Sequence, residues 1–321
     1  MLMVGGPTVA CNVDLAPMEP NPRLGREKRV FFSSGCASSI TMPVGATDTI
    51  TVDPAQENGT LPTDLEPKTS DASIIAIANP SSTTFDMRAL KNGQSNIEVW
   101  SAGARYDWLT FHVEPARAVK VESEPAILAG GRTGLAVTEV YGACKTDECL
   151  LFGHSFMKWT ADPASALTFI EDTKNLAHYT ASATPGTGAI VGTEPSEGGE
   201  LVRHTVEIVD PATITGITGT IKDTSNEDAK PVSFPGSIPI NEWFEVRIVG
   251  ERSGKIPVAI ARHDIEWAVP AGLGQVPQSE PADPFVSIFA APGTTGSFTL
   301  TAKVALLGGM EQSFVVNVVA Q

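Results

Sequence analysis

Cysteine is scarce in this chain, with four in 321 residues at positions 11, 36, 144 and 149. A fold built on a disulfide framework is thereby excluded, because such scaffolds are cysteine-dense. Charge is thin as well: only 18% of residues are Asp, Glu, Lys or Arg, and cations are the scarcer sign. With 22 Lys plus Arg against 37 Asp plus Glu, the net charge is −15. A chain that acidic repels phosphates over most of its surface, which excludes nucleic acid as a partner. No run of about 20 apolar residues occurs, so no membrane-spanning helix is expected.

What is present points to a packed β protein. The apolar share is 42%, enough to rule out a disordered chain. At roughly 100–150 residues per domain, the length suggests two or three domains. The 29 Gly and 24 Pro are spread evenly. That spacing favours many short strands joined by turns, an all-β class.

The segment Met1-Leu-Met-Val-Gly-Gly-Pro-Thr-Val-Ala-Cys11 is apolar or small and stops at a cysteine. Thr8-Val9-Ala10-Cys11 resembles the lipobox of bacterial lipoproteins, although a basic n-region is absent and the apolar stretch is short. The resemblance implies a lipid anchor at Cys11. Asn12 at the next position implies outer-membrane placement by analogy. A pairing of Cys11 with Cys36 is the alternative, and an ordinary cysteine is the plain one. The proline-rich residues 12–22 then read as an extended tether.

The most informative feature is self-similarity at a period near 100 residues. Each copy has an opening strand, a middle strand, a Gly turn and two alternating strands. In the third copy Ile265, Trp267 and Val269 share one face, and Phe298, Leu300, Ala302, Val304 and Leu306 alternate after the turn at Gly293 and Gly296. In the second copy Trp159 precedes Gly186 by 27 residues, as Trp267 precedes Gly293 by 26. In the first copy Leu65 precedes Gly93 by 28, and no tryptophan stands there.

This pattern resembles the tandem bacterial immunoglobulin-like domains of invasin- and intimin-type surface proteins. The residues that carry it are the opening segments Pro43-Val-Gly45-Ala-Thr and Leu128-Ala-Gly-Gly131-Arg-Thr, then Trp159 and Trp267, then the late Gly turns. The third copy opens on Ser237-Ile-Pro-Ile-Asn-Glu-Trp243, without the glycine. The resemblance implies three tandem β-sandwiches at 30–116, 117–211 and 212–321, after an anchor and tether at 1–29. Joints fall where Pro115 and Pro211 follow a last strand, and linkers this short imply a stiff rod.

Motifs with chemical meaning are few. Gly186-Thr-Gly188 lacks the following helix of a dinucleotide fingerprint, so no cofactor is expected. Ser155-Phe-Met-Lys158 matches a Ser-x-x-Lys pattern, but on a strand its two polar residues face opposite ways. Cys144 and Cys149 can close a small disulfide loop, worth about 2 kcal/mol in the chain-entropy model. A zinc site using them with His154 is the lesser alternative. Trp100 and Trp108 flank a hairpin tip, and Trp100 is the candidate exposed contact residue. His112 and His204 read as solvated. The expected role is non-catalytic: a secreted or lipid-anchored envelope spacer, adhesion or binding module for protein or polysaccharide. The Cys144–Cys149 loop and Gly250–Gly254 are its expected contact elements. A carbohydrate-active accessory protein or enzyme and a virion or fibre component are the alternatives.

Overall fold

The computed structural model describes residues 23–27, 29–34, 40–56, 59–143, 150–173, 176–225, 229–254, 256–270 and 285–320. Among these the chain is predominantly β, with twenty-seven strands, three short 3-10 turns and no α-helix. Alternation builds the strands: β4 (Thr47–Pro54) buries Asp48, Ile50 and Val52, and β8 (Gly93–Ser101) buries Ser95, Ile97 and Val99.

Residues 23–114 form two sheets. One has the order β1-β2-β4-β7-β6, with β1 (Arg23–Leu24), β2 (Val30–Ser34), β6 (Ile75–Ala78) and β7 (Thr84–Ala89). The other has the order β3-β9-β8-β5, with β3 (Thr41–Pro43), β5 (Glu66–Thr69) and β9 (Ala104–Glu114). Ile50, Phe85 and Met87 of the first sheet share a buried cluster with Ile97, Leu109 and Phe111 of the second. Each such side chain contributes about 1.5–3 kcal/mol on burial.

Residues 118–209 repeat the plan. Here β10 (Ala118–Ser123), β12 (Arg132–Tyr141), β13 (Leu150–Leu151), β15 (Leu167–Thr173) and β16 (Leu176–Ala181) form one sheet. Across the core, β11 (Ala126–Leu128), β18 (Glu200–Val209), β17 (Gly186–Thr193) and β14 (Lys158–Asp162) neighbour one another in that order. Residues 216–319 do so again. β19 (Gly216–Asp223) joins β20 (Val232–Ser233) and β22 (Trp243–Glu251), and β22 also pairs β23 (Val258–Ala259) and β25 (Val286–Ala290). Opposite stand β21 (Gly236–Pro239), β27 (Met310–Val319), β26 (Gly296–Val304) and β24 (Ile265–Ala268).

The recurrence extends to register. In each stretch a short strand, β3, β11 or β21, runs parallel to the last one, placing Met42 opposite Val113, Ile127 opposite Ile208 and Ile238 opposite Val318. Gly93, Gly186 and Gly296 face those same three residues from the other side. Beyond that short strand, the amides of Val44, Ala129 and Ile240 donate to the carbonyls of Glu114, Val209 and Val319 at 3.0, 2.9 and 3.0 Å. The next residue is left-handed each time: Gly45 (φ 89°), Gly130 (φ 75°) and Asn241 (φ 60°). Glycine takes that conformation freely and asparagine tolerates it, so the missing opening glycine of the third copy has a working substitute.

Two alignments read from the sequence need correction. Trp159 and Trp267 face Gly192 and Ala302, each six residues beyond the strand-opening glycine. The glycine equivalent to Gly186 is therefore Gly296, not Gly293. In the first stretch the regular pairing of β5 with β8 sets Pro67, not Leu65, opposite Val99, the residue six beyond Gly93 and so at the tryptophan register. Trp159 is buried and donates Nε1 to Asp172 at 3.1 Å, while half-buried Trp267 donates to Ser287 at 3.1 Å and meets Phe289 edge-on.

The sheets do not all part between stretches. Ile127 of β11 pairs with Ala259 of β23, which joins strands of the second and third stretches into one nine-stranded sheet. Buried side chains form two clusters among the described residues. The first is shared by residues 30–116, most of the second stretch, and Ala259, Ala261 and Phe285 of the third; the other takes most of the third stretch with Ala126, Leu128 and Val209.

Candidate functional site

The outer face of the β3-β9-β8-β5 sheet carries a concentration of aromatic and cationic side chains. Alternation sends Leu109, Phe111 and Val113 into the core and leaves Trp108 half-buried on the outside, opposite Glu98. The bulge after Val99 sets Trp100 opposite Arg105 and Glu66. Trp100 donates Nε1 to Glu98 at 2.9 Å, and Arg105 donates to the same carboxylate at 3.2 Å. The Lys68 ammonium sits 4.8 Å over the Trp100 ring. Trp108 has Arg105 at 5.2 Å and Arg26 at 5.8 Å, and Arg29 lies 5.2 Å over Tyr106. Exposed cation–ring contacts of this kind contribute about 0.5–1 kcal/mol each.

A buried carboxylate puts the two N-terminal arginines there. Asp107, with no exposed surface, accepts the amides of Glu27 at 2.8 Å, Arg29 at 2.8 Å, Val30 at 3.0 Å and Trp108 at 2.8 Å. Glu27, Arg29 and Val30 are thereby held against the start of β9. Gly25 lies so close that a Cβ would meet the carboxylate at 2.4 Å. Sequence reasoning missed Asp107, Arg26 and Arg29. The available signal was an aspartate at an inward position of an otherwise apolar strand face.

At the tip, Asp64 accepts Ser101 Oγ at 2.7 Å and the Ala102 amide at 2.8 Å, and these hydrogen bonds hold its carboxyl below the usual range. Ala102 (φ 50°) and Gly103 (φ 78°) make the tight two-residue hairpin turn. The face offers three rings, Trp100, Tyr106 and Trp108, each with a cation over it. Such a surface can stack on the apolar face of a sugar or a flat side chain while its arginines take anionic or hydroxyl groups.

The other sequence candidates lie elsewhere. Cys11, Cys36, Cys144 and Cys149 fall outside the described residues. His154 exchanges backbone hydrogen bonds with Thr47 at 2.9 and 2.8 Å, and its Nε2 is 3.5 Å from Asp48, so it serves the joint between the first two stretches. Lys158 is exposed at the start of β14. His112 is exposed, and half-buried His204 contacts the Glu124 carbonyl at 3.2 Å. Among the described residues no group of three or more His, Cys, Asp or Glu is arranged to hold a metal, and no helix is long and apolar enough to cross a membrane.

Gly250–Gly254 is not a free tip. Arg252 is buried, donates to Glu207 at 2.7 and 3.1 Å and to the Ile256 carbonyl at 2.9 and 3.2 Å, and ties the second stretch to the third.

No family model and no curated protein matches the chain. Among solved structures it is similar to domains 4–9 of the surface layer protein SbsC, at 13% identity and a TM-score of 0.36, covering 91% of this chain and 44% of that one. It is also similar to the Escherichia coli adhesin FdeC, at 13% identity and a TM-score of 0.27, covering 87% and 94%. Invasin, a bacterial integrin-binding protein, follows at 12% identity and 0.24, covering 90% and 59%. The resemblance is distant. The chain spans less than half the length of the SbsC structure.

Proposed function

We propose that the chain is three tandem immunoglobulin-like β-sandwiches, at 30–116, 117–211 and 212–321, forming a non-catalytic envelope or secreted binding module. Support for the three-sandwich reading comes from the recurring strand order, the three equivalent parallel pairs and the three left-handed turns at Gly45, Gly130 and Asn241. The observation that carries the binding role is the Trp100–Trp108 face with Lys68, Arg26 and Arg105 stacked on its rings. The ligand is a protein or polysaccharide of the envelope. The second and third sandwiches act as the spacer behind that face.

In this reading Cys11 carries a lipid and the proline-rich residues 12–22 are the tether, while Cys144 and Cys149 close a loop disulfide. Intact mass of protein expressed in a lipoprotein-processing host tests the first, and mass before and after reduction tests the second.

The binding role is tested by probing glycan and envelope-protein arrays with the wild type and with Trp100→Ala and Trp108→Ala. Loss of a hit by tenfold or more in both variants, with unchanged thermal unfolding, is the expected result. Turnover of any glycan that vanishes on substituting one carboxylate would sink the non-enzymatic reading.

A further inference from the structure

The strand pairs β8–β9, β17–β18 and β26–β27 hold the same place in their stretches. Gly93, Gly186 and Gly296 open the first member of each, opposite Val113, Ile208 and Val318 of the second. Residues directly opposite each other share a face, so the outward positions of the three pairs correspond. Nearest the glycine, Gln94 faces His112, Thr187 faces Glu207 and Ser297 faces Asn317. Next, Asn96 faces Thr110, Ala189 faces Thr205 and Thr299 faces Val315. Then Glu98 faces Trp108, Val191 faces Arg203 and Thr301 faces Ser313.

One plan thus carries three different outer faces. The first alone sets a ring among these positions and keeps a hydrogen-bonding side chain at every one of them. Ala189 and Val191 interrupt the row in the second stretch, and Val315 does so in the third. Gln94 and His112 are exposed, and Asn96 and Thr110 are half-buried. Thr110 donates Oγ1 to Asn96 Oδ1 at 2.9 Å, which orients the Asn96 amide with its Nδ2 as the donor of the row. From Trp108 to His112 the row runs about 13 Å along β9.

No surplus of cations is left on this face to select an anionic chain. Lys68 is 3.0 Å from Glu66 and Arg105 is 3.2 Å from Glu98. Arg26 and Arg29 stand on either side of Glu27 in the chain, and buried Asp107 accepts the amides of Glu27 and Arg29. The apolar centre that anchors a protein partner is missing as well, since no Leu, Ile, Val, Met or Phe stands at an outward position of β8 or β9.

We propose that this face binds an uncharged polysaccharide lying lengthwise along β8 and β9, its sugar rings stacked at Trp100 and Trp108 and its hydroxyls hydrogen-bonded by Asn96, Thr110, Gln94 and His112. Aromatic rings take the apolar faces of sugars, while amides, a hydroxyl and an imidazole exchange hydrogen bonds with sugar hydroxyls. Lys68, Arg26 and Arg105 over the tryptophan rings are exposed, so an arriving sugar displaces them at small cost. The inference rests on the binding role proposed above for the Trp100–Trp108 face and adds the ligand class and the further side chains that contact it.

Isothermal titration of the full chain with galactomannan, xyloglucan, laminarin, dextran, alginate and polygalacturonate tests it. Binding to one or more of the neutral polysaccharides, unchanged in high salt, and none to the two anionic ones is the expected result. Gln94→Ala and His112→Ala, at exposed positions, should each weaken that binding roughly threefold, and together roughly tenfold. Thr187→Ala and Ser297→Ala, at the equivalent places of the other stretches, should leave it at wild-type strength. Unchanged unfolding midpoints exclude misfolding as the cause. Binding confined to the anionic polysaccharides or to an envelope protein overturns this inference, while a hit lost in Trp100→Ala and Trp108→Ala keeps the binding role standing. Neutral binding that falls with Trp108→Ala yet survives the Gln94 and His112 double variant overturns the lengthwise placement. Silence from all six polysaccharides and from the arrays removes both readings.

Discussion

The two joints solve the same geometric problem with different chemistry. At the first, side chains of the second stretch enter the core of the first: Phe152 lies 6.0 Å from the Phe111 ring, and Gly153 presses on Ala46 and Met42, where a Cβ would come within 3.0 and 3.3 Å. The buried clusters of the two stretches merge as a result. At the second joint the backbone does more of the work, through the β11–β23 pair, and charged groups frame it. Arg252 binds Glu207, Arg247 binds Glu124, and Asp264 accepts the Arg132 amide at 3.0 Å. An apolar joint is held by burial, which salt leaves alone, whereas ion pairs outside the core weaken as ionic strength rises.

That contrast can be broken in order of effect. Phe152→Ala opens a cavity at the first joint and is expected to cost about 3–5 kcal/mol in urea unfolding, independent of salt. A loss below about 1 kcal/mol would show that the merged core is not what couples the first two stretches. Arg252→Ala removes four hydrogen bonds of a buried guanidinium at the second joint, with an expected loss of about 2 kcal/mol. Hydrogen exchange should quicken at Val258 and Ala259 and stay unchanged at Thr47; quickening at both joints would erase the distinction between them. Glu124→Gln, at a half-exposed pair, should cost under about 1 kcal/mol and lose even that in high salt.

Asp264 gives the smallest effect and a pH signature. Burial raises its carboxyl above the usual range, against the opposing Arg132 amide. The native state then binds the proton more tightly than the unfolded chain, so the stabilisation is complete below the ordinary carboxylate value and is lost as pH rises through the raised native value. Asp264→Asn, which keeps an acceptor for the amide, should flatten the unfolding free energy across that window. An unchanged pH slope would remove Asp264 from the account of the second joint.

How much of this could be read from the sequence depended on whether a residue acts locally. The β class was legible, because period-2 alternation and dispersed Gly and Pro are local properties. The recurrence was legible in Trp159, Trp267, Gly45 and the Gly130–Gly131 pair, since a tryptophan and a left-handed glycine each mark a fixed place. Register was not: the pairing of β5 with β8 sets Pro67 in the place given to Leu65, and which residue of a strand faces which across a sheet leaves no composition signal. Asp107 was overlooked because its partners, Glu27, Arg29 and Val30, lie about 80 residues away. The same distance hid Arg26, which stacks on Trp108. Trp100 was singled out, as an aromatic at a hairpin tip is a local signal, but it is half-buried, not exposed, and its stacking partner Lys68 was not legible. Gly250–Gly254 was taken for a free loop because nothing near it announces Glu207.

The account turns on one plan laid down three times in the same register. Methyl-labelled full-length protein tests it directly, through nuclear Overhauser contacts between Met42 and Val113, Ile127 and Ile208, and Ile238 and Val318. All six are buried and stand opposite one another in the three parallel pairs. The account predicts all three contacts at comparable strength. Absence of any one, with those methyls in contact elsewhere, would contradict it.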